Sequence, residues 1–233
     1  MSKIIKFFNS NNEFIEVPQP SKKFVPEWYK EAKRFYPDNK LRFNAGNPNL
    51  SIKTCMPFLD GLTSGYIATT YCDILVTKTE LGTKLDWRVA DSIPQPISER
   101  PKTVAETLPI PAGHANQHFA WHNIYQIQLP KGYSSYIGHP LNRFDLPFTT
   151  LSGIVDADYG MQQGNVPFFI KSDFEGIIPE GTPMFQIIPF KREDWKSIKD
   201  PNLLELDKRH EFFNLRKIYG YYKENFWNRK NYD

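Results

Sequence analysis

Cysteine is scarce in this chain, with two in 233 residues, Cys55 and Cys72. They lie far apart and form no C-x-x-C pair, which excludes a disulfide-stapled scaffold and a thiolate zinc cluster and fits reduced thiols in a cytoplasmic setting. Glycine is also sparse, 13 residues against 19 prolines. Neither a Walker A loop nor a G-x-G-x-x-G or G-x-S-x-G motif occurs, so the usual nucleoside triphosphatase, dinucleotide and α/β-hydrolase chemistries drop out. No apolar run approaches the roughly 20 residues of a membrane-crossing helix. The opening MSKIIKFFNSNNEF lacks the sustained apolar stretch of a secretory leader. An excess of one charge is missing as well: the net charge of +3 is too small to mark a nucleic-acid footprint. It resides in the tail, where residues 191–233 hold eleven Lys and Arg against eight Asp and Glu and the first 190 residues balance.

Aromatic side chains are abundant, 18 Phe, 12 Tyr and 5 Trp, and such rings suit pleated, half-buried surfaces. Strands do not alternate with amphipathic helices, which excludes doubly wound and TIM-barrel folds. The expectation is a mainly β protein: residues 1–190 form a barrel or double-sheet body of short antiparallel strands, and residues 191–233 a helical extension packed on it. Residues 3–17 predict a hairpin turned at Asn9–Asn12. The segment 22–35 reads as a short helix, with Ser21 as cap and Pro26 in its first turn. Residues 52–58 and 66–78 read as strands, 92–111 as a proline-rich surface excursion, and 119–129 as a strand. Strands follow at 133–137, 154–155, 167–170 and 184–190. Leu215, Ile218, Tyr219, Tyr222 and Phe226 recur at helical steps within 203–227.

The densest chemistry lies in 129–188. There Gly153-Ile154-Val155-Asp156-Ala157-Asp158-Tyr159-Gly160 resembles the third motif, GVIDxDYxG, of the dUTPase and dCTP deaminase superfamily. Leu129-Pro130-Lys131-Gly132 resembles its LPxG segment, and 181–188, GTPMFQII, its G-D-R-I-A-Q-L-I segment. That resemblance implies a β-clip barrel, often a homotrimer, binding a nucleotide or small polar ligand with Mg²⁺ as companion ion. Asp156 would be the carboxylate that activates water. Asp158 and Tyr159 would contact the ligand, Tyr159 against a deoxyribose, and Gln186 would close the barrel beneath. The phosphate-holding Arg-Ser-Gly motif would fall at His139–Arg143, leaving Asn142 and Arg143 as its nearest equivalents without the hydroxyl and glycine. Efficient hydrolysis is therefore not expected. Most of the chain, including PFTTLSGIVD and EGTPMFQIIPFKREDW, resembles a family of uncharacterised proteins of tailed phages and bacteria, which implies a host-cytoplasmic location and no particular activity.

Other candidates weigh less. His114, His118 and His122 would spread over about 26 Å of a strand at ~3.3 Å per residue, too far for one metal, and read as surface or hydrogen-bonded residues. Cys55 reads as a small buried hydrophobe. The rings of the C-terminal helix suit packing on the β body or an interface, either between subunits or with a larger assembly such as a phage particle. Two functions follow: a nucleotide- or small-ligand-binding protein around Asp156, or an assembly protein docking through its aromatic helix. Neither includes a membrane or nucleic-acid partner.

Overall fold

Most β-branched and aromatic runs become strands, and among the described residues their pairings are antiparallel. The computed structural model describes residues 3–9, 15–36, 49–101, 103, 108–159, 164–205, 208 and 221–233. Two compact units divide the chain. Met1–Phe24 and Leu62–Arg192 form the β body, and Val25–Gly61 with Glu193–Asn231 form the second unit.

Two sheets dominate the β body. The first has the order β13 (Gly153–Asp156), β11 (Tyr133–Gly138), β16 (Pro183–Lys191), β5 (Tyr66–Thr69), β2 (Gln19–Pro20). The second runs β12 (Phe148–Thr150), β14 (Val166–Ile170), β9 (Phe119–Trp121), β8 (Ile97–Glu99). A three-stranded sheet, β15 (Gly176–Ile178), β6 (Ile74–Thr79), β7 (Gly82–Trp87), and the pair β1 (Lys6–Phe8) with β10 (Gln126–Gln128) complete the body. No sheet closes on itself among the described residues, so the mainly β expectation takes its double-sheet rather than its barrel form.

Aromatic packing fills the core of this body. Trp121 stacks on Phe168 with ring centroids 3.8 Å apart, and Phe148 meets Trp121 edge-on at 5.0 Å. The first and second sheets are also joined by polar contacts. The Thr150 hydroxyl donates to the Met184 carbonyl (2.7 Å) and accepts from the Trp121 indole N–H (3.2 Å). Met184 sits where the β16–β5 register slips between Pro183 and Phe185, so the hydroxyl supplies a partner at an irregularity in the ladder. Gly65, at φ +69°, lies so close to β16 that a Cβ there would stand 2.1 Å from the Ile187 carbonyl oxygen.

The second unit contains β3 (Phe35–Tyr36) paired with β4 (Asn49–Leu50), α1 (Glu27–Glu31), most of α2 (Met56–Thr63) and α3 (Tyr221–Asn225). Tyr29 is buried and stacks on Phe58 at 5.9 Å. The Asp60 carboxylate accepts from the Trp227 indole N–H (2.9 Å) and from Lys230 (2.7 Å).

Several local expectations are corrected. Residues 52–58 are helical, a 3-10 turn at Ile52–Thr54 and then α2. Ser51 caps that turn by accepting from the Lys53 N–H, a local bond that outweighs β-branched propensity. The helix expected over 22–35 is a 3-10 turn at Ser21–Phe24 followed by α1. Ser21 donates to the Ser64 carbonyl instead of capping, and Phe35 pairs in β3. β1 pairs with β10 rather than with the residues before Pro18. The proline-rich excursion contains β8, whose Ile97 is buried. The strand expected over 119–129 is broken into β9 and β10, because the Asn123 side chain accepts from the Tyr125 N–H and turns the chain. Residues 10–14, which hold most of the expected hairpin turn, and most of the expected helix over 203–227 lie outside the described residues.

Candidate functional site

The acidic loop leaves β13, the edge strand of the first sheet, beside β11. Ser134 on β11 pairs with Asp156 on β13, and Tyr133 with Lys191 at the end of β16. This register brings Arg192, the residue after β16, to the loop. Its guanidinium reaches both Asp158 carboxylate oxygens, one of them at 3.2 Å, and Asp156 at 3.1 Å. It also donates to the Tyr133 carbonyl and the Ser134 hydroxyl, each at 3.2 Å. Asp158 further accepts from the Gly132 N–H at 2.8 Å, and Asp156 from the Ser134 hydroxyl. A bidentate guanidinium–carboxylate pair with a backbone N–H on the same carboxylate is among the stronger polar arrangements a protein builds.

The electrostatics follow from these contacts. The Ser134 hydroxyl first, then Arg192, hold the Asp156 carboxyl below its ordinary range; for Asp158 the main cause is Arg192. The two carboxylates in turn raise the Arg192 pKa, Asp158 foremost. The side chain of Asp158 is fully covered whereas that of Asp156 is 65% exposed. A general base works best with a pKa near the operating pH, and Asp156 is displaced the other way. The cluster is suited to holding a shape and a fixed charge. Nor does it suit Mg²⁺ as it stands, because Arg192 occupies both carboxylates. Among the described residues no group of three His, Cys, Asp or Glu side chains is placed to hold a metal.

Tyr159 projects from the loop with 83% of its surface exposed. Beside Asp158 runs an open groove of about 470 Å³ lined by Lys3, Lys6 and Lys131 together with Gln128 and Pro130. Asp158 is the one carboxylate among its lining residues, and its charge is already met by Arg192.

The other expected ligand residues lie elsewhere. β11 separates Ser134, beside the acidic loop, from Gly138 by about 13 Å at ~3.3 Å per residue, and the turn with Asn142 and Arg143 follows Gly138. Asn142 adopts a left-handed conformation, φ 62°. Arg143 is largely buried, forms an ion pair with Asp145 at 2.9 Å and donates to the Phe24 carbonyl at 3.2 Å. Gln186 is buried; it accepts from the Leu141 N–H (2.7 Å) and donates to the Ser64 carbonyl (2.6 Å). Asp156, Asp158 and Tyr159 therefore share one end of β11, and Asn142, Arg143 and Gln186 the other.

Arg192, Lys3 and Lys6 were not legible as site residues. Arg192 stands inside the FKRED run, and only the β11–β16 register shows that it meets Asp158. The histidines separate as well. His114 shares a 2.9 Å hydrogen bond with Thr149, while His118 is buried against Phe169 with neither ring nitrogen partnered. The expectation of hydrogen-bonded or surface histidines thus fails at His118. Cys72 is buried, its thiol pushed up to about 11 mainly by that burial; Cys55 is half-buried. No described helix is long and apolar enough to cross a membrane.

Comparison of the chain with known protein families and with curated proteins found no match.

Proposed function

We propose that the β body binds a small anionic ligand of nucleotide type, with its phosphates in the groove of Lys3, Lys6 and Lys131, and does not hydrolyse it. One observation carries this reading: three cationic side chains surround a groove whose one lining carboxylate is neutralised by Arg192. The exposed Tyr159 ring offers a face on which a base or sugar stacks. The depressed pKa of Asp156 argues for binding over general-base chemistry. The resemblance of 153–160 to the dUTPase motif agrees with the ligand class, and because Asn142 and Arg143 lie away from the loop, the phosphate contacts in this reading come from the lysines.

The test is a thermal-shift panel of deoxy- and ribonucleotides, with and without Mg²⁺, on wild type and on the Lys6→Glu/Lys131→Glu double variant. A ligand at 100 times its Kd adds about 2.7 kcal/mol, which for a chain of this size is roughly 5–10 °C. The double charge reversal removes that shift, and raising the salt weakens binding in wild type. A flat panel on folded wild type would rule the reading out.

A second reading, an assembly role, is favoured by apolar exposure in the second unit. Trp195 is 87% exposed and Leu203 and Leu204 are 57% and 58% exposed, and large exposed apolar groups are typical of partner surfaces. Light scattering of the full chain against Trp195→Ser/Leu204→Ser tests it: self-association lost in the variant supports a homo-oligomer through this surface, and an unchanged mass speaks against it.

A further inference from the structure

The pleat of β13 separates two faces. Ile154 and Asp156 point one way, and Gly153 and Val155 the other. The Val155 face, turned away from the acidic cluster, opens on a cavity of about 410 Å³. Its walls are aliphatic: Ile127 from β10, Ile137 from β11, Leu151 after β12, and Val166 at the start of β14. The size falls within the range of small-molecule sites, roughly 300–1,000 Å³.

Two features define what fits. None of the lining residues is ionisable, so a charged ligand would leave water with no countercharge to receive it, an arrangement that costs several kcal/mol. The polar groups present are amides and one hydroxyl. Asn123 spends its carbonyl oxygen on the Tyr125 N–H, and its amide nitrogen donates to no group among the described residues. Asn165, on the exposed side of the cavity, makes no side-chain hydrogen bond among them. The Ser152 hydroxyl is engaged with the Tyr136 hydroxyl at 2.8 Å. The free capacity is thus the amide N–H donors of both asparagines, with the Asn165 carbonyl oxygen beside them, at the edge of an aliphatic chamber. Gly153 adds room, since a Cβ built there meets nothing within 4 Å.

We infer that this cavity is a binding site for a neutral, mostly apolar small molecule carrying one hydrogen-bond acceptor, such as a carbonyl, held by Asn123 and Asn165. The site is independent of the lysine groove: the two share no lining residue, and one lining is uncharged where the other carries three lysines.

The experiment titrates full-length protein with Nile red, a neutral dye bearing a carbonyl, and follows its emission. Wild type gives saturable one-to-one binding. Gly153→Leu, whose side chain enters the chamber, weakens it at least tenfold while far-UV circular dichroism and Tm stay at wild-type values or rise. Asn165→Leu, at an exposed position, keeps the fold and weakens binding several-fold, which maintains the test if Gly153→Leu fails to fold. Octanamide displaces the dye at least tenfold more effectively than octanoate at pH 8. Absence of saturable binding, unchanged affinity in both folded variants, or octanoate competing as well as octanamide would each overturn the inference. Lys6→Glu/Lys131→Glu leaves dye binding unchanged, so this site and the anionic groove stand or fall separately.

Discussion

Thr150→Val isolates the polar joint between the two main sheets. Valine keeps the shape of threonine but cannot donate to the Met184 carbonyl or accept from the Trp121 indole. Thr150 is 2% exposed and Trp121 0%, so water does not replace the lost partner. Each buried group left unsatisfied costs roughly 1–3 kcal/mol. The added methyl returns up to about 1 kcal/mol through burial. The net loss is about 3 kcal/mol, or roughly 6–12 °C in Tm for a chain of this size. Thr150→Ser supplies the contrast, because it keeps the hydroxyl and removes only a methyl, at a cost of about 1 kcal/mol. Urea unfolding at pH 7, compared by midpoint and slope, measures both. If valine costs less than about 1 kcal/mol, or serine costs as much as valine, the hydroxyl does not join the sheets as argued.

Further outcomes follow from other contacts. Gln186→Leu strands the Leu141 N–H and removes one of the two donors on the Ser64 carbonyl, which keeps the Ser21 hydroxyl, and lowers stability by about 1–3 kcal/mol, whereas nucleotide affinity in the folded fraction stays at the wild-type value. Gly65→Ala, forced against the Ile187 carbonyl at positive φ, destabilises by at least about 1 kcal/mol, read from the shift of its urea midpoint. Asp156 and Asp158 have depressed pKa values. Their contribution is complete above the ordinary aspartate pKa of about 3.9 and is lost as the pH falls through the lower folded values. Arg192→Met shrinks that acid-limb loss in a series of unfolding curves from pH 5 to 2, and an unchanged limb would show that the pairing does not stabilise the fold. His118 shows the same direction for a different reason, because burial first and the Arg100 guanidinium second hold its imidazole below its usual pKa. The unfolded chain therefore takes up that proton first, and stability declines as the pH drops below about 6.5. His118→Phe flattens that part of the profile, measured by Tm between pH 8 and 5.

The legible parts of the fold were those with period-two patterning over a sustained run. β11, β14 and β16 stand where their Tyr, Phe and Ile residues place them. Misreadings came where a short-range side-chain bond outweighed propensity, as at Ser51 and Asn123, or where a buried strand hid among prolines, as at Ile97. At the site, Asp156, Asp158 and Tyr159 share a loop because they are neighbours in sequence. What holds that loop was not legible: Arg192 is 34 positions beyond Asp158, and only strand register joins them. The division of β13 into a charged face and an aliphatic face was implicit in the alternation of Gly153-Ile154-Val155-Asp156, but the chamber behind Val155 also requires Ile127, Ile137 and Val166 from three other strands.

The Arg192 cluster also has a mechanical meaning. Arg192 ends the continuous Leu62–Arg192 stretch of the β body, so tension carried along the backbone from residue 193 enters that stretch at the end of β16. There the load meets a side chain tied to two carboxylates, a carbonyl and a hydroxyl, and a backbone N–H bonded to the Gly132 carbonyl at 2.8 Å. These bonds must fail together before the β11–β16 ladder begins to open from that end. Whatever the C-terminal segment is pulled by, its point of attachment is fastened, and a pull too weak to break the cluster leaves the sheets as they are.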